Sequence, residues 1–241
     1  MTKLPTMIEK TLTLSRENWS SKATLFQACL SLDELTGLAP DWLHPEELEY
    51  ANGPMISKRK HSYLLGRFCA KKALKAPLNH PNLAEILIQK GVFKQPLLSG
   101  PNTQNTQISV AHSGNLGVAL AYPTGHPMGI DIERINPKRE DLLKGLILQS
   151  ELDELTQHCS PIYDAKTLFT WVWTAKEALG KALCTGLTVP FPIYEIQNVA
   201  IEKGLLTATY KNFRQYKVIS FIWEEAVISI ALPRHTDITF L

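Results

Sequence analysis

The sequence is short of the features that mark several common protein classes. Its four cysteines, Cys29, Cys69, Cys159 and Cys184, are scattered through 241 residues without any Cys-x-x-Cys spacing. That excludes a zinc ribbon, offers no disulfide framework and suits a reducing compartment. No stretch approaches the roughly 20 apolar residues of a membrane-spanning helix, and the opening MTKLPTMIEKTLTL lacks the continuous apolar run of a secretion signal. The expectation is a cytoplasmic chain that does not engage a membrane. Charge of one sign is also missing: 25 Lys and Arg against 23 Asp and Glu leave a formal net charge of +2. No general field draws the chain to nucleic acid, so any anion site has to be built locally. With 44% hydrophobic and 20% charged residues, the composition is that of a globular protein, long enough for one large domain or two small ones.

The patterning alternates between strand and helix. Residues 8–14 and 23–30 read as extended, and HPEELEYANG opens a helix with Glu46 and Glu47 in its first turn, where carboxylates suit the dipole. SKRKHSYLLGRFCAKKALKAPL, residues 57–78, is a basic amphipathic helix. Residues 84–89 read as a strand, ISVAHSGNLGVALAY as a hairpin with a Gly/Asn turn, and MGIDIERI as a further strand after the breaker PTGHP. Residues 139–158 and 164–184 read as helical, and KVISFIWEEAVISIALP as closing strands. A faint repeat runs through this order. AKKALKAPL (70–78) matches AKEALGKAL (175–183) at five of nine positions, and VALAYP (118–123) resembles ISIALP (228–233) at nearly the same offset. Two similar halves are expected, each a long helix with a strand hairpin after it, joined near PTGHP.

Three short stretches carry possible chemistry. In GIDIE the two-residue strand period puts Asp131 and Glu133 on one face and Ile130 and Ile132 on the other. Taken alone this is a half-exposed strand with its polar face in water; as a site, it suits a hard divalent cation, which offsets the repulsion of neighbouring carboxylates. Gly129 would let a ligand come close. In WTAKEALGKAL, Glu177 and Lys181 stand at i, i+4, a spacing that a helix salt bridge explains. A third metal carboxylate and a phosphate-neutralising lysine explain it too. The small residues Ala175, Ala178, Gly180 and Ala182 favour the close approach of another body, and Gly180 inside a helix costs about 1 kcal/mol relative to Ala. His112, where a strand runs into a turn, is either structural or, with Ser113 and Gly114, a donor to a phosphate oxygen. Arg67, Lys71, Lys72 and Lys75 form a solvated face unless an anionic ligand is held there.

The order of these stretches is more telling than any one of them. ISVAHSG, then GIDIE, then WTAKEALGK followed by GLTVP resembles the 4′-phosphopantetheinyl transferases, in particular the larger Sfp-type enzymes, over about Arg59 to Pro190. The resemblance implies an α+β fold of two similar halves related by pseudo-two-fold symmetry, each a small sheet packed on a long helix. The halves would be residues 1–125, with the coenzyme A contacts, and 126–241, with the metal carboxylates, and coenzyme A would lie between them. It further implies that Asp131, Glu133 and Glu177 hold Mg²⁺, with Mn²⁺ as a substitute, and that Lys181 contacts the pyrophosphate. His112 and Ser113 would contact the nucleotide phosphates, Arg67 and Lys71 coenzyme A, and Glu151 would be the general base unless a metal-bound water is. Where relatives carry Gly-Lys-Pro this chain has Phe93, Lys94, Gln95 and Pro96, so that substrate contact either falls to Lys94 or to nearby Lys90, or is absent.

The implied activity is that of a holo-[acyl-carrier-protein] synthase type of transferase. The phosphopantetheine arm of coenzyme A would move to a serine of an apo acyl or peptidyl carrier protein, releasing adenosine 3′,5′-bisphosphate. Such an enzyme would serve fatty acid, polyketide or nonribosomal peptide biosynthesis and would act as a monomer. The alternatives are a non-catalytic module that binds coenzyme A or a carrier protein, and another Mg²⁺-dependent phosphotransfer or hydrolysis enzyme.

Overall fold

The computed structural model describes residues 7–240; the first six residues of the N-terminal stretch discussed above lie outside that range. The described residues divide into two compact units, one of residues 7–126 with 236–240 and one of residues 127–235. The fold is mixed α+β in both.

In the first unit the order is β1 (Met7–Arg16), β2 (Trp19–Cys29), α1 (Leu32–Leu38), α2 (Pro45–Asn52), α3 (Ser57–Leu78), β3 (Leu87–Lys90), β4 (Pro96–Ser99), β5 (Thr106–Ser113) and β6 (Leu116–Pro123). Helix α3 buries Leu64, Leu65, Phe68, Cys69, Ala73 and Leu74 in the core of this unit, and its basic N-terminal turn is exposed. Asn79, left-handed at φ 45°, ends it, as suits the residue type most tolerant of that conformation after glycine.

The second unit runs β7 (Gly129–Arg134), α4 (Glu140–Lys144), α5 (Gln149–His158), α6 (Ala165–Ala182), β8 (Ile196–Glu202), β9 (Leu205–Tyr210), β10 (Tyr216–Trp223) and β11 (Ala226–Pro233), and β12 (Asp237–Phe240) follows. Residues 139–158, which read as one helical stretch, are two helices. Gly145 caps α4, and Glu151 accepts the Leu148 N–H at 2.9 Å to start α5 anew.

The second unit's sheet has the order β7-β11-β10-β9-β8, and the first unit carries β2-β6-β5 with a separate β3-β4 hairpin. Strand for strand, β7, β11, β10 and the β8-β9 hairpin answer to β2, β6, β5 and the β3-β4 hairpin. The two sequence repeats fall at matching places, on α3 and α6 and on β6 and β11. The first sheet extends further, through β1 to β12. That last strand differs from the boundary expected from sequence: residues 236–240 belong to the first unit, because Leu12–Ser15 of β1 pair antiparallel with Asp237–Phe240.

The chain leaves the first unit at His126 and returns at Thr236, and these residues are bonded, His126 Nε2 to Thr236 Oγ1 at 2.7 Å. His126 also stacks on Trp19 with ring centroids 5.1 Å apart. Burial, opposed by a backbone hydrogen bond and aided by Arg16, holds its imidazole below the ordinary 6.5. A histidine whose folded pKa is depressed contributes stability above its unfolded pKa and loses it as the pH falls. The melting temperature is therefore expected to drop more steeply between pH 7 and pH 5 in the native protein than in His126→Gln; equal slopes in the two melting series would contradict this account.

Candidate active site

The candidate site in the second unit is built on one strand and one helix. Gly129, Asp131 and Glu133 share a face of β7 by the two-residue strand period, and that face lies on α6. A Cβ added at Gly129 would stand 2.1 Å from the Ala178 carbonyl and 2.5 Å from the Ala182 amide. The glycine thus serves the approach of helix to strand, which corrects the expectation that it makes room for a ligand. The same correction applies to the small residues of α6. Ala175, Ala178 and Ala182 are core residues of this unit, and Gly180 faces the Gly186 carbonyl, which a Cβ would meet at 3.2 Å.

Close packing brings the predicted residues together. Lys181 Nζ reaches across from α6 to donate to Asp131 Oδ1 at 2.7 Å. Glu133 Oε1 pairs with Arg139 Nη1 at 2.9 Å, and the Arg139 guanidinium lies over the Trp173 ring, 5.6 Å from its centroid. Among the described residues, Glu177 Oε1 is buried with no hydrogen-bond partner. Burial first, then the Asp131 charge, push the Glu177 carboxyl up to about 7; Lys181 opposes this and Glu133 adds to it. Asp131 is raised mainly by its own burial, with Lys181 pulling it back. These are carboxylates crowded in a poorly solvated place, where each resists ionisation of the others.

Residues 127–231 match the family model of the 4′-phosphopantetheinyl transferase superfamily. The match takes in nearly the whole of the second unit. No curated protein sequence matches the chain significantly. Among solved structures, a holo-(acyl-carrier-protein) synthase from Bacillus anthracis str. Ames, in complex with CoA (3′,5′-ADP), is 16% identical, with 47% of this chain and 96% of that one covered at a TM-score of 0.34. The Helicobacter pylori holo-[acyl-carrier-protein] synthase in complex with coenzyme A is 14% identical, with 48% and 99% covered at a TM-score of 0.32.

Within the matching stretch Lys181 pairs with Asp131, Glu177 stands within electrostatic reach of Asp131, Glu133 and Lys181, and Glu151 is engaged elsewhere. Glu151 is fully buried, and its Oε2 takes both the Leu148 N–H and the Lys176 ammonium, the latter at 2.7 Å. Its Oε1 accepts the Ile196 N–H at 2.9 Å. A carboxylate so fully engaged and so far from solvent does not fit the expected role of general base.

In the first unit the expected coenzyme A residues divide in the same way. Lys71 is fully buried. Its Nζ is 3.0 Å from Glu47 Oε2 and donates to the Leu83 carbonyl at 2.9 Å and to the Ile86 carbonyl. An ammonium has three protons, and all three have partners inside the unit, so Lys71 does not reach out to a ligand. Arg67 pairs with Glu47 at 3.1 Å, donates to the Ile88 carbonyl at 2.7 Å and lies 5.0 Å from the Tyr63 ring centroid. It lines a cavity of about 420 Å³ together with Tyr50, Tyr63, Gln89 and Lys90. Lys94 sits exposed on the β3–β4 turn at φ 65°, His112 is exposed near the end of β5, and Ser113 beside it is buried.

Sequence reasoning missed Arg139 and the Lys176 pairing. Asn136 caps the Lys138 N–H at 3.0 Å, and nothing in the sequence pattern aims the following arginine at Glu133.

Proposed function

We propose that the chain transfers the 4′-phosphopantetheine arm of coenzyme A to a serine of an apo acyl or peptidyl carrier protein. The observation that carries this reading is the meeting of Asp131 and Glu133 on β7 with Glu177 and Lys181 on α6, with one Glu177 oxygen left without a donor, inside the stretch that matches the superfamily. Among the described residues no group of three or more His, Cys, Asp or Glu side chains stands gathered as a metal cage; Asp131 and Glu133 are held by Lys181 and Arg139. The donor set nonetheless suits a hard cation, since it is all oxygen and its carboxylates are crowded. Asp131, Glu133 and Glu177 are the residues proposed to hold Mg²⁺, which when bound would neutralise pyrophosphate charge.

In the proposed reaction the carrier serine oxygen bonds to the β-phosphorus of coenzyme A as the bond to the bridging pyrophosphate oxygen breaks. Adenosine 3′,5′-bisphosphate leaves, and the serine proton passes to solvent water. Lys181 stabilises charge on the leaving phosphate. Lys94, His112, Ser113 and Arg67 are the proposed contacts of the first unit with coenzyme A, and Lys71 drops out for the reason above. The protein incubated with coenzyme A, MgCl₂ and an apo carrier protein is expected to convert the carrier to its holo form by intact mass, and chelation to stop the conversion. Coenzyme A binding with an unmodified carrier would instead mark a non-catalytic module, and release of adenosine 3′,5′-bisphosphate without a modified carrier a hydrolase.

A further inference from the structure

The two units contain the same buried glutamate–lysine pair, to which the first unit adds Arg67 on Glu47 Oε1 at 3.1 Å. In the first, Glu47 is the third residue of α2: its Oε2 accepts the His44 N–H at 3.1 Å and pairs with Lys71 of α3 at 3.0 Å, and its Oε1 accepts the Ile88 N–H of β3 at 3.0 Å. In the second, Glu151 is the third residue of α5. Its Oε2 accepts the Leu148 N–H at 2.9 Å and pairs with Lys176 of α6 at 2.7 Å, and its Oε1 accepts the Ile196 N–H of β8 at 2.9 Å. Oxygen for oxygen, the glutamate joins the start of a short helix, the long helix and the first strand of the following hairpin.

The aligned repeats then act as an internal control. AKKALKAPL and AKEALGKAL set Lys71 against Lys176, Lys72 against Glu177 and Ala76 against Lys181. VALAYP and ISIALP set β6 against β11, and strand pairing carries the match onward. Asp131 lies opposite Ser229 and Glu133 opposite Val227; in the first unit the corresponding partners are Phe26, opposite Ala119, and Ala28, opposite Gly117. The first unit therefore has Phe26, Ala28, Lys72 and Ala76 where the second has Asp131, Glu133, Glu177 and Lys181. It keeps the ion pair and lacks all the proposed chemistry. A group whose job was to move a proton would have no reason to recur with its full set of partners in a unit without the metal carboxylates.

We infer that Glu151 and Lys176 are a positioning pair: by tying α5, α6 and β8 together they fix the rotation of α6 that turns Glu177 and Lys181 towards Asp131, and Glu151 takes no proton from the substrate. This rests on the transferase reading given above. Glu151→Gln keeps the shape and cannot act as a base, and its single oxygen can still accept from Leu148 and Lys176 while its amide NH2 takes the place that faces Ile196. Its turnover is expected within about tenfold of the native protein, with the acidic limb of the pH–rate profile unmoved, whereas loss of a general base costs roughly 10²–10⁴-fold.

Glu151→Met alone leaves the Lys176 ammonium buried and unpaired and is expected to lower the melting temperature by about 10 °C. The double variant Glu151→Met, Lys176→Met removes both charges and is expected to recover most of that loss, with turnover within about tenfold of native. The control pair Glu47→Met, Lys71→Met should recover less of its single-variant loss in melting, because Arg67 also pairs with Glu47. A Glu151→Gln protein that melts like the native one yet turns over a hundredfold or more slower, or loses its acidic limb, overturns the inference. If the native protein modifies no carrier, the transferase reading fails. Mn²⁺ affinity by electron paramagnetic resonance then still decides the positioning role: it should weaken in Glu151→Met and return in the double variant, and an unchanged affinity in the single variant would refute it.

Discussion

Glu177→Gln is expected to abolish carrier modification, by at least about 100-fold in turnover, while making the metal-free protein more stable at neutral pH. The first effect follows from removing one of three carboxylates proposed to organise charge at the reacting phosphate, where single-group losses cost about 10²–10³-fold. Asp131→Ala and Glu133→Ala should show it too. The second follows from the raised Glu177 carboxyl, at about 7 against an ordinary 4.5. A group whose folded pKa lies above its unfolded value contributes stability that is present below the unfolded pKa and lost as the pH rises through the folded one. At pH 8 the ionised side chain therefore weakens the fold, by about 1–2 kcal/mol once solvent screening of this partly exposed group is allowed for. Melting of both proteins in chelator at pH 4.5 and pH 8 checks this: the gap should open at the higher pH. Native turnover in Glu177→Gln would remove the metal-site reading, and an equal gap at both pH values would remove the electrostatic account of Glu177.

Lys71→Met is expected to damage the fold and spare the chemistry. It leaves the buried Glu47 carboxylate with Arg67 as its cationic partner in place of two, and breaking one side of a buried pair costs up to about 3–5 kcal/mol. The Leu83 and Ile86 carbonyls lose their donor as well. Chemical denaturation should show a loss of that size, while the apparent Michaelis constant for coenzyme A stays within about twofold of native. The contrasting variant is Lys94→Ala, on the exposed turn, where stability should hold and the Michaelis constant should rise. A Lys71→Met protein of native stability with weakened coenzyme A binding would return Lys71 to the contact set.

Much of this was legible in the chain, because some signals are local. The two long helices follow from apolar spacing, the β5–β6 hairpin from its Gly/Asn turn, and the same-face placement of Asp131 and Glu133 from the strand period alone. The repeat, faint at the level of letters, reappears as a shared order of strands and helices. Motif order identified the superfamily that residues 127–231 match.

Partnerships across long sequence separations were not legible. A glycine beside a carboxylate strand reads equally as room for a ligand or room for a helix, and only the 2.1 Å approach to the Ala178 carbonyl decides for the helix. A lysine on a basic amphipathic helix reads as solvated until Lys71 is found buried against Glu47. Composition and period determine which elements form and which faces are apolar, because those depend on neighbours a few residues away. Whether a charged side chain serves the fold or the site depends on what stands opposite it, and that is decided only when distant segments pack and each buried charge has to find its partner.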